Sequence, residues 1–188
     1  SELEKLVRDL ERLSEDNKRR LKESSKESKE SLDRVRETIK RLVEEAEELL
    51  KRVVDTIRRT EDKEKLDKLV EELKRRLEKL VRELKELVDR HHKRNEELLE
   101  RSRRSSEDVK KKLKEVLEDV ARKSTSEEAR ERLERLREKV EELARDNERA
   151  LREDERTVRE SSERLRKVLE EAKDRIDKLV KAVEDAAR

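Results

Sequence analysis

Leu3, Leu21, Ile39 and Ile57 stand 18 residues apart, and five steps of three or four residues connect each to the next. Eighteen residues over five turns is 3.6 per turn, the pitch of an undistorted α-helix. A heptad seam would wind helices left-handed and an eleven-residue repeat right-handed, so this spacing demands helices that run nearly straight. The other rungs of the ladder are Leu6, Leu10, Leu13, Asn17, Ser24, Ser28, Ser31, Val35, Leu42, Ala46, Leu49 and Val53. The same interval links Leu66, Leu84, Ser102 and Val120, and again Ala129, Asn147, Leu165 and Val183. One geometry governs three successive segments.

The segments are separated by "RRTEDKEKL" at 58–66 and "ARKSTSEEA" at 121–129, where Ser, Thr and Asp can accept the unpaired amide protons of a new helix. The reading is helix 2–59, loop 60–62, helix 63–122, loop 123–126 and helix 127–187, within a single domain 1–188. Ser1 with Glu4, and either Thr125 with Glu128 or Ser124 with Glu127, fit a capping box. Loops this short make consecutive helices antiparallel neighbours. Each helix of about 58–61 residues would be a rod of roughly 90 Å at 1.5 Å per residue. A second apolar position flanks the ladder at Val43, Leu50, Val54, Val70, Val81, Leu99, Leu117, Ala144, Leu151, Leu169 and Val180. A stripe of that width suits a three-helix core closed within one chain. The expected fold is therefore all-α: a near-straight antiparallel three-helix bundle, up-down-up, with an 18-residue layer repeat.

Charged residues make up 59% of the chain, which alone would suggest disorder, and only the strict periodicity argues otherwise. Glu71 with Arg75, Glu72 with Arg76, Glu86 with Arg90, Glu141 with Arg145, and Glu171 with Arg175 stand four apart in the favourable order on the outer faces. Gly, Pro, Cys, Met, Phe, Tyr and Trp are all missing. From average usage, the chance of drawing such a length without Gly or Pro is on the order of 10⁻¹⁰. Without Gly there is no phosphate-cradling loop. Without Cys there is no thiol nucleophile, disulfide or thiolate metal site. Without aromatic rings there is no platform for stacking bases. Lys and Arg total 56 against 54 Asp and Glu, a net charge of +2, so the surface carries no one-sided field for a polyanion. The most basic run, 101–114, is interrupted by Glu107 and Asp108. No apolar run approaches a membrane span and no signal peptide is visible, so a soluble chain is expected, made by recombinant cytoplasmic expression with no natural location.

Polar residues interrupt the apolar seam at Asn17, Ser24, Ser28, Ser31, His91, His92, Asn95, Ser102, Ser105, Asn147, Asp154, Thr157 and Ser161. With the helices registered about their loops, Ser31, His91 and Thr157 fall in one layer with His92 adjacent, and Ser28, Asn95 and Asp154 in the next. Asn17, Ser102, Ser105 and Asn147 cluster further along. All-apolar layers flank this belt, such as Leu42, Leu80 and Val168, or Leu10, Val109 and Leu136. A buried polar group left unpaired costs about 1–3 kcal/mol, so residues placed this way must be each other's partners. Slipping a helix by one turn strands them together, which makes such a network a device for specifying register and topology.

Sharper chemistry fits less well. Ser28 or Ser31 with His91 and Asp154 has the composition of a catalytic triad, but amides inside a helix are already bonded and supply no oxyanion hole. Adjacent histidines on a helix point about 100° apart and chelate one ion poorly. An imidazole held in a network could respond to mild acid. A polar belt could also pair with another chain.

The glycine-free long helices, the 18-residue layers and the Glu/Lys/Arg surfaces resemble de novo, parametrically designed helical bundles. The polar seam is similar to the subset of those designs that carry buried hydrogen-bond networks. The resemblance covers the whole chain. It implies a structural scaffold with no natural biochemical activity, no catalytic residues, cofactor or metal, and no required partner: a monomer with self-association as an option, binding no nucleic acid, membrane or small-molecule substrate. The alternatives are an interaction module and a pH-sensitive bundle using core histidine.

Overall fold

The computed structural model describes all 188 residues. Three α-helices make up the chain: α1 Glu2–Arg59, α2 Lys63–Lys123 and α3 Glu127–Ala186. The expected bounds differ from these by one residue at the end of α2 and one at the end of α3. No residue has a positive φ, so both connections turn without the left-handed residue that commonly ends a helix. Two side chains act in its place. Thr60 Oγ1 donates to the Thr56 carbonyl at 2.7 Å, and Ser124 Oγ donates to the Val120 carbonyl at 2.7 Å. Each hydroxyl satisfies a terminal carbonyl whose amide four residues on bonds elsewhere, Thr60 N–H to Ile57 and Ser124 N–H to Ala121.

The new helices are capped just as locally. Asp62 Oδ1 accepts the Glu64 amide at 3.0 Å and the Lys65 amide at 3.4 Å. Ser126 Oγ accepts the Ala129 amide at 3.1 Å, so the cap of α3 is Ser126 and not Thr125 or Ser124. Ser124 is unsuited because its hydroxyl is committed to the end of α2. Ser1 Oγ accepts the Glu4 amide at 3.2 Å, as the spacing predicts.

Contacts divide the chain into two compact units, one of residues Ser1–Lys29 and Asn95–Glu160, the other of Glu30–Arg94 and Ser161–Arg188. In the first, the core is Leu10, Val109, Leu113, Leu136, Val140 and Leu143, with Leu6, Leu13, Leu117 and Ala144 packed against it. In the second, one core cluster gathers Ile39, Val43, Leu84, Leu165 and Ile176, and another gathers Leu50, Ile57, Leu73 and Val183. Within each unit the neighbouring helices run antiparallel.

The ladder predicted from the spacing is the buried line: Leu21, Ile39, Ile57, Leu84, Leu165 and Val183 are each at most 2% exposed. Each such burial contributes about 1.5–3 kcal/mol. Several rungs of α1 depart from it: Val35, Leu42, Ala46 and Val53 are half-buried while Leu32, Val43 and Leu50 beside the ladder are buried. Leu49 is 48% exposed while its neighbour Leu50 is buried, because toward the end of α1 the line facing the other helices runs through Ile39, Val43, Leu50 and Ile57. The outer faces carry pairs one turn apart, such as Arg76 with Glu72 at 3.1 Å, and pairs between helices, such as Lys18 with Asp146 at 3.7 Å and Lys74 with Glu184 at 3.0 Å. Arg175 turns away from its own helix to Glu47 of α1.

Candidate functional site

Most of the polar rungs are buried, with Ser31, His92, Ser105 and Thr157 half-buried, and within the first unit they form three clusters that each join α1, α2 and α3. Asn17 on α1 donates from Nδ2 to Asn147 Oδ1 on α3 at 2.8 Å and to Ser106 Oγ on α2 at 3.3 Å, and its Oδ1 accepts from Ser105. Asn147 in turn donates to Ser14 Oγ and to the Leu143 carbonyl at 2.9 Å. Both carboxamides thus use their two N–H groups and their carbonyl, the full set that a buried amide requires.

The second cluster surrounds Asp154, which is 2% exposed. Ser25 donates to Oδ1 at 2.7 Å, and Ser24 and Ser102 donate to Oδ2 at 3.2 and 2.6 Å. Three hydroxyls from two helices replace the water that a carboxylate loses on burial. In the third cluster Ser28 donates to Asn95 Oδ1 at 2.8 Å, and Asn95 Nδ2 donates to the Val158 backbone carbonyl at 3.3 Å.

The second unit holds one imidazole bridge. His91 Nδ1 lies 2.8 Å from Ser31 Oγ and Nε2 lies 2.8 Å from Ser161 Oγ, so the ring is braced from α1 and α3 at once. Burial pushes its pKa down to about 4, and the charge of His92 adds to the shift. At neutral pH the ring is uncharged, with one nitrogen donating and the other accepting. The His92 ring is tilted 56° to it with centroids 6.1 Å apart.

No protein-family model and no curated protein sequence matches the chain. Among solved structures it is similar to a "Computationally designed three helix bundle", with a TM-score of 0.61 and 21% identity over 99% of this chain and 89% of that one. The fold is a three-helix bundle. At that identity the likeness carries the architecture and nothing of what either protein does.

The bundle pairs α1 with α2 as the loop geometry predicts: Ser31 is level with His91 and Ser28 with Asn95. Helix α3, however, sits about one turn away from its expected register. His91 meets Ser161 instead of Thr157, and Asn95 meets the Val158 carbonyl instead of Asp154. Asp154 reaches Ser24, Ser25 and Ser102, and Ser102 leaves the expected group with Asn17 to join it. Thr157 is half-buried and takes no part. Centring the helices on the loop is only one solution, because the connection at 124–126 is long enough to accommodate an α3 displaced by one turn. The remaining expected residues, Asn17, Ser105 and Asn147, do come together.

Three serines beside the seam, which the sequence alone leaves open between the networks and water, also take part: Ser14, Ser25 and Ser106. Each is adjacent to a seam rung, so its hydroxyl can turn inward or to water, and periodicity does not decide between the two. A groove of about 340 Å³ lies over part of this unit, lined by Leu21, Ser24, Leu98, Ser102 and Ser105 between Arg20 and Arg101. Its hydroxyls are spent inward, Ser24 and Ser102 on Asp154 and Ser105 on Asn17. No group of three His, Cys, Asp or Glu side chains is placed to hold a metal ion, and no helix is long and apolar enough to cross a membrane.

Proposed function

We propose that this chain is a designed single-domain scaffold without a substrate, working as a monomer, whose buried polar clusters specify helix register and topology. The observation that carries this reading is the Asn17–Asn147 cluster, in which two carboxamides from different helices satisfy all four of their N–H groups inside one chain. A satisfied network stabilises little over leucine and discriminates strongly against arrangements that leave it unpaired. The likeness to a computationally designed bundle and the lack of any matching family both fit such an origin. His91 supports the fold in the same manner, since both ring nitrogens face serine hydroxyls.

The test compares the protein with a variant whose polar rungs are replaced by Leu and Ala. The variant is expected to fold and resist denaturant at least as well, yet to give more than one set of amide resonances where the parent gives one. A single, equally sharp set from the variant would remove the specificity reading. Light scattering is expected to give the 22.7 kDa of one chain. Twice that mass would favour an interaction module, with the polar belt serving a second copy.

A pH-sensitive bundle is the second reading, favoured by the depressed pKa of His91. It ranks lower because one imidazole titrating over several pH units changes stability gradually and does not switch a state.

A further inference from the structure

We infer that the Asn17–Asn147 pair determines the register of α3 within the unit formed by Ser1–Lys29 and Asn95–Glu160, and that Asp154 does not. This rests on the reading of the polar clusters as specificity devices and names the contact that performs the task.

The apolar rungs cannot choose between registers one turn apart. On α3 they recur at Leu133, Leu136, Val140 and Leu143, so sliding the helix by one turn replaces each rung with its neighbour against Leu6, Leu10 and Leu13 of α1. Volumes hardly change, and leucine does not distinguish one leucine-lined hole from the next. The connection at 124–126 does not choose either. A slide of one turn is 5.4 Å, within the roughly 10 Å that three residues span.

Asp154 is equally tolerant. In the observed register it accepts from Ser24, Ser25 and Ser102. Slid one turn toward the C-terminal end of α1, it would stand level with Ser28 and Asn95, which supply a hydroxyl and a carboxamide. Its rung is polar at the start and at the end of that slide, so either of these positions offers donors.

The asparagines are different. In the observed register Asn17 Nδ2 meets Asn147 Oδ1 at 2.8 Å, and Ser14, Ser105 and Ser106 complete both amides. One turn away Asn147 would face Leu21 on α1, with Ser102 alone on α2, and Asn17 would face Leu143 and Ala144 on α3. Both carboxamides would lose the partner that engages the most of their capacity, in surroundings 2–4% exposed where water does not substitute. Of the polar rungs in this unit, this pair alone is matched in one register and broken in the next.

The chain contains no cysteine, so Arg12→Cys on α1 and Arg156→Cys on α3, both at exposed positions, place two nitroxide labels cleanly for pulsed electron spin distance measurement. The labelled parent is expected to give one distance. Adding Asn17→Leu and Asn147→Leu is expected to give a second population longer by about 4–5 Å, the signature of a one-turn slide. Adding Asp154→Leu alone is expected to keep the single distance. A single unchanged distance in the double asparagine variant overturns the inference, as does a second population produced by Asp154→Leu alone. A final variant combining all three substitutions separates the two levels of the argument. If it gives two distances where the asparagine variant gave one, the clusters still specify register and only the assignment to this pair falls. If it too gives one distance, the broader reading falls with it.

Discussion

Ser102 Oγ lies 2.6 Å from Asp154 Oδ2, the shortest of the three serine contacts that hold a carboxylate in the core of a three-helix bundle. A hydrogen bond to a charged group is worth about 1.5–3 kcal/mol, so Ser102→Ala is expected to lower stability by about 2 kcal/mol in urea denaturation followed by circular dichroism. The double variant Asn95→Leu with Asp154→Leu is expected to behave oppositely. Removing the buried charge and the carboxamide leaves serines whose hydroxyls can turn back to carbonyls of their own helices, so the fold should persist with stability equal to or above the parent. Loss of cooperative unfolding in the double variant would contradict this account of the cluster.

His91 makes stability depend on pH with a defined sign. The buried ring, with its pKa near 4, binds a proton less readily than it would in the unfolded chain, where the pKa is near 6.5. The contribution is therefore complete above about pH 6.5 and is lost as pH falls from there toward 4, because the unfolded state takes up the proton first. Between about pH 7.5 and about pH 5 the expected loss is about 2 kcal/mol. His91→Leu should remove that part of the slope, so the quantity to measure is the difference between parent and variant at each pH. Parallel stability curves would show that the imidazole is solvated in the folded protein.

Core truncation tests the packing in each unit separately. Leu136 and Leu165 are both fully buried, one in each unit, and Leu→Ala at either is expected to cost about 2–5 kcal/mol through lost burial and the cavity left behind. Leu49, at 48% exposure, is the control. Its replacement by Ala is expected to change stability by less than about 0.5 kcal/mol in the same denaturation experiment.

The caps give the smallest effects. Asp62→Ala leaves the Glu64 and Lys65 amides without their acceptor, and Ser126→Ala does the same to the Ala129 amide. Each is expected to cost about 1 kcal/mol, read as a lower denaturation midpoint with an unchanged slope. Thr125→Ala, at one of the two positions that fit the capping-box pattern, should cost less than Ser126→Ala.

Three helices, their ends to within a residue, part of the buried ladder and the pairing of α1 with α2 were legible in the sequence. Each follows from local rules: 3.6-residue periodicity, cap chemistry and a short loop that forces an antiparallel return. The polar clusters were legible in kind, since polar rungs at similar heights need partners, and Asn17 with Asn147 is where that logic succeeded. The height of α3 was not legible. An 18-residue repeat makes successive apolar rungs interchangeable, and loops of this length accept either of two registers a turn apart, so local information is degenerate at the scale of one turn. Only the simultaneous packing of three helices breaks that degeneracy, because only there do the two asparagines meet; in that register Asp154 lies beside Ser24, Ser25 and Ser102, and Ser161 in place of Thr157 reaches His91.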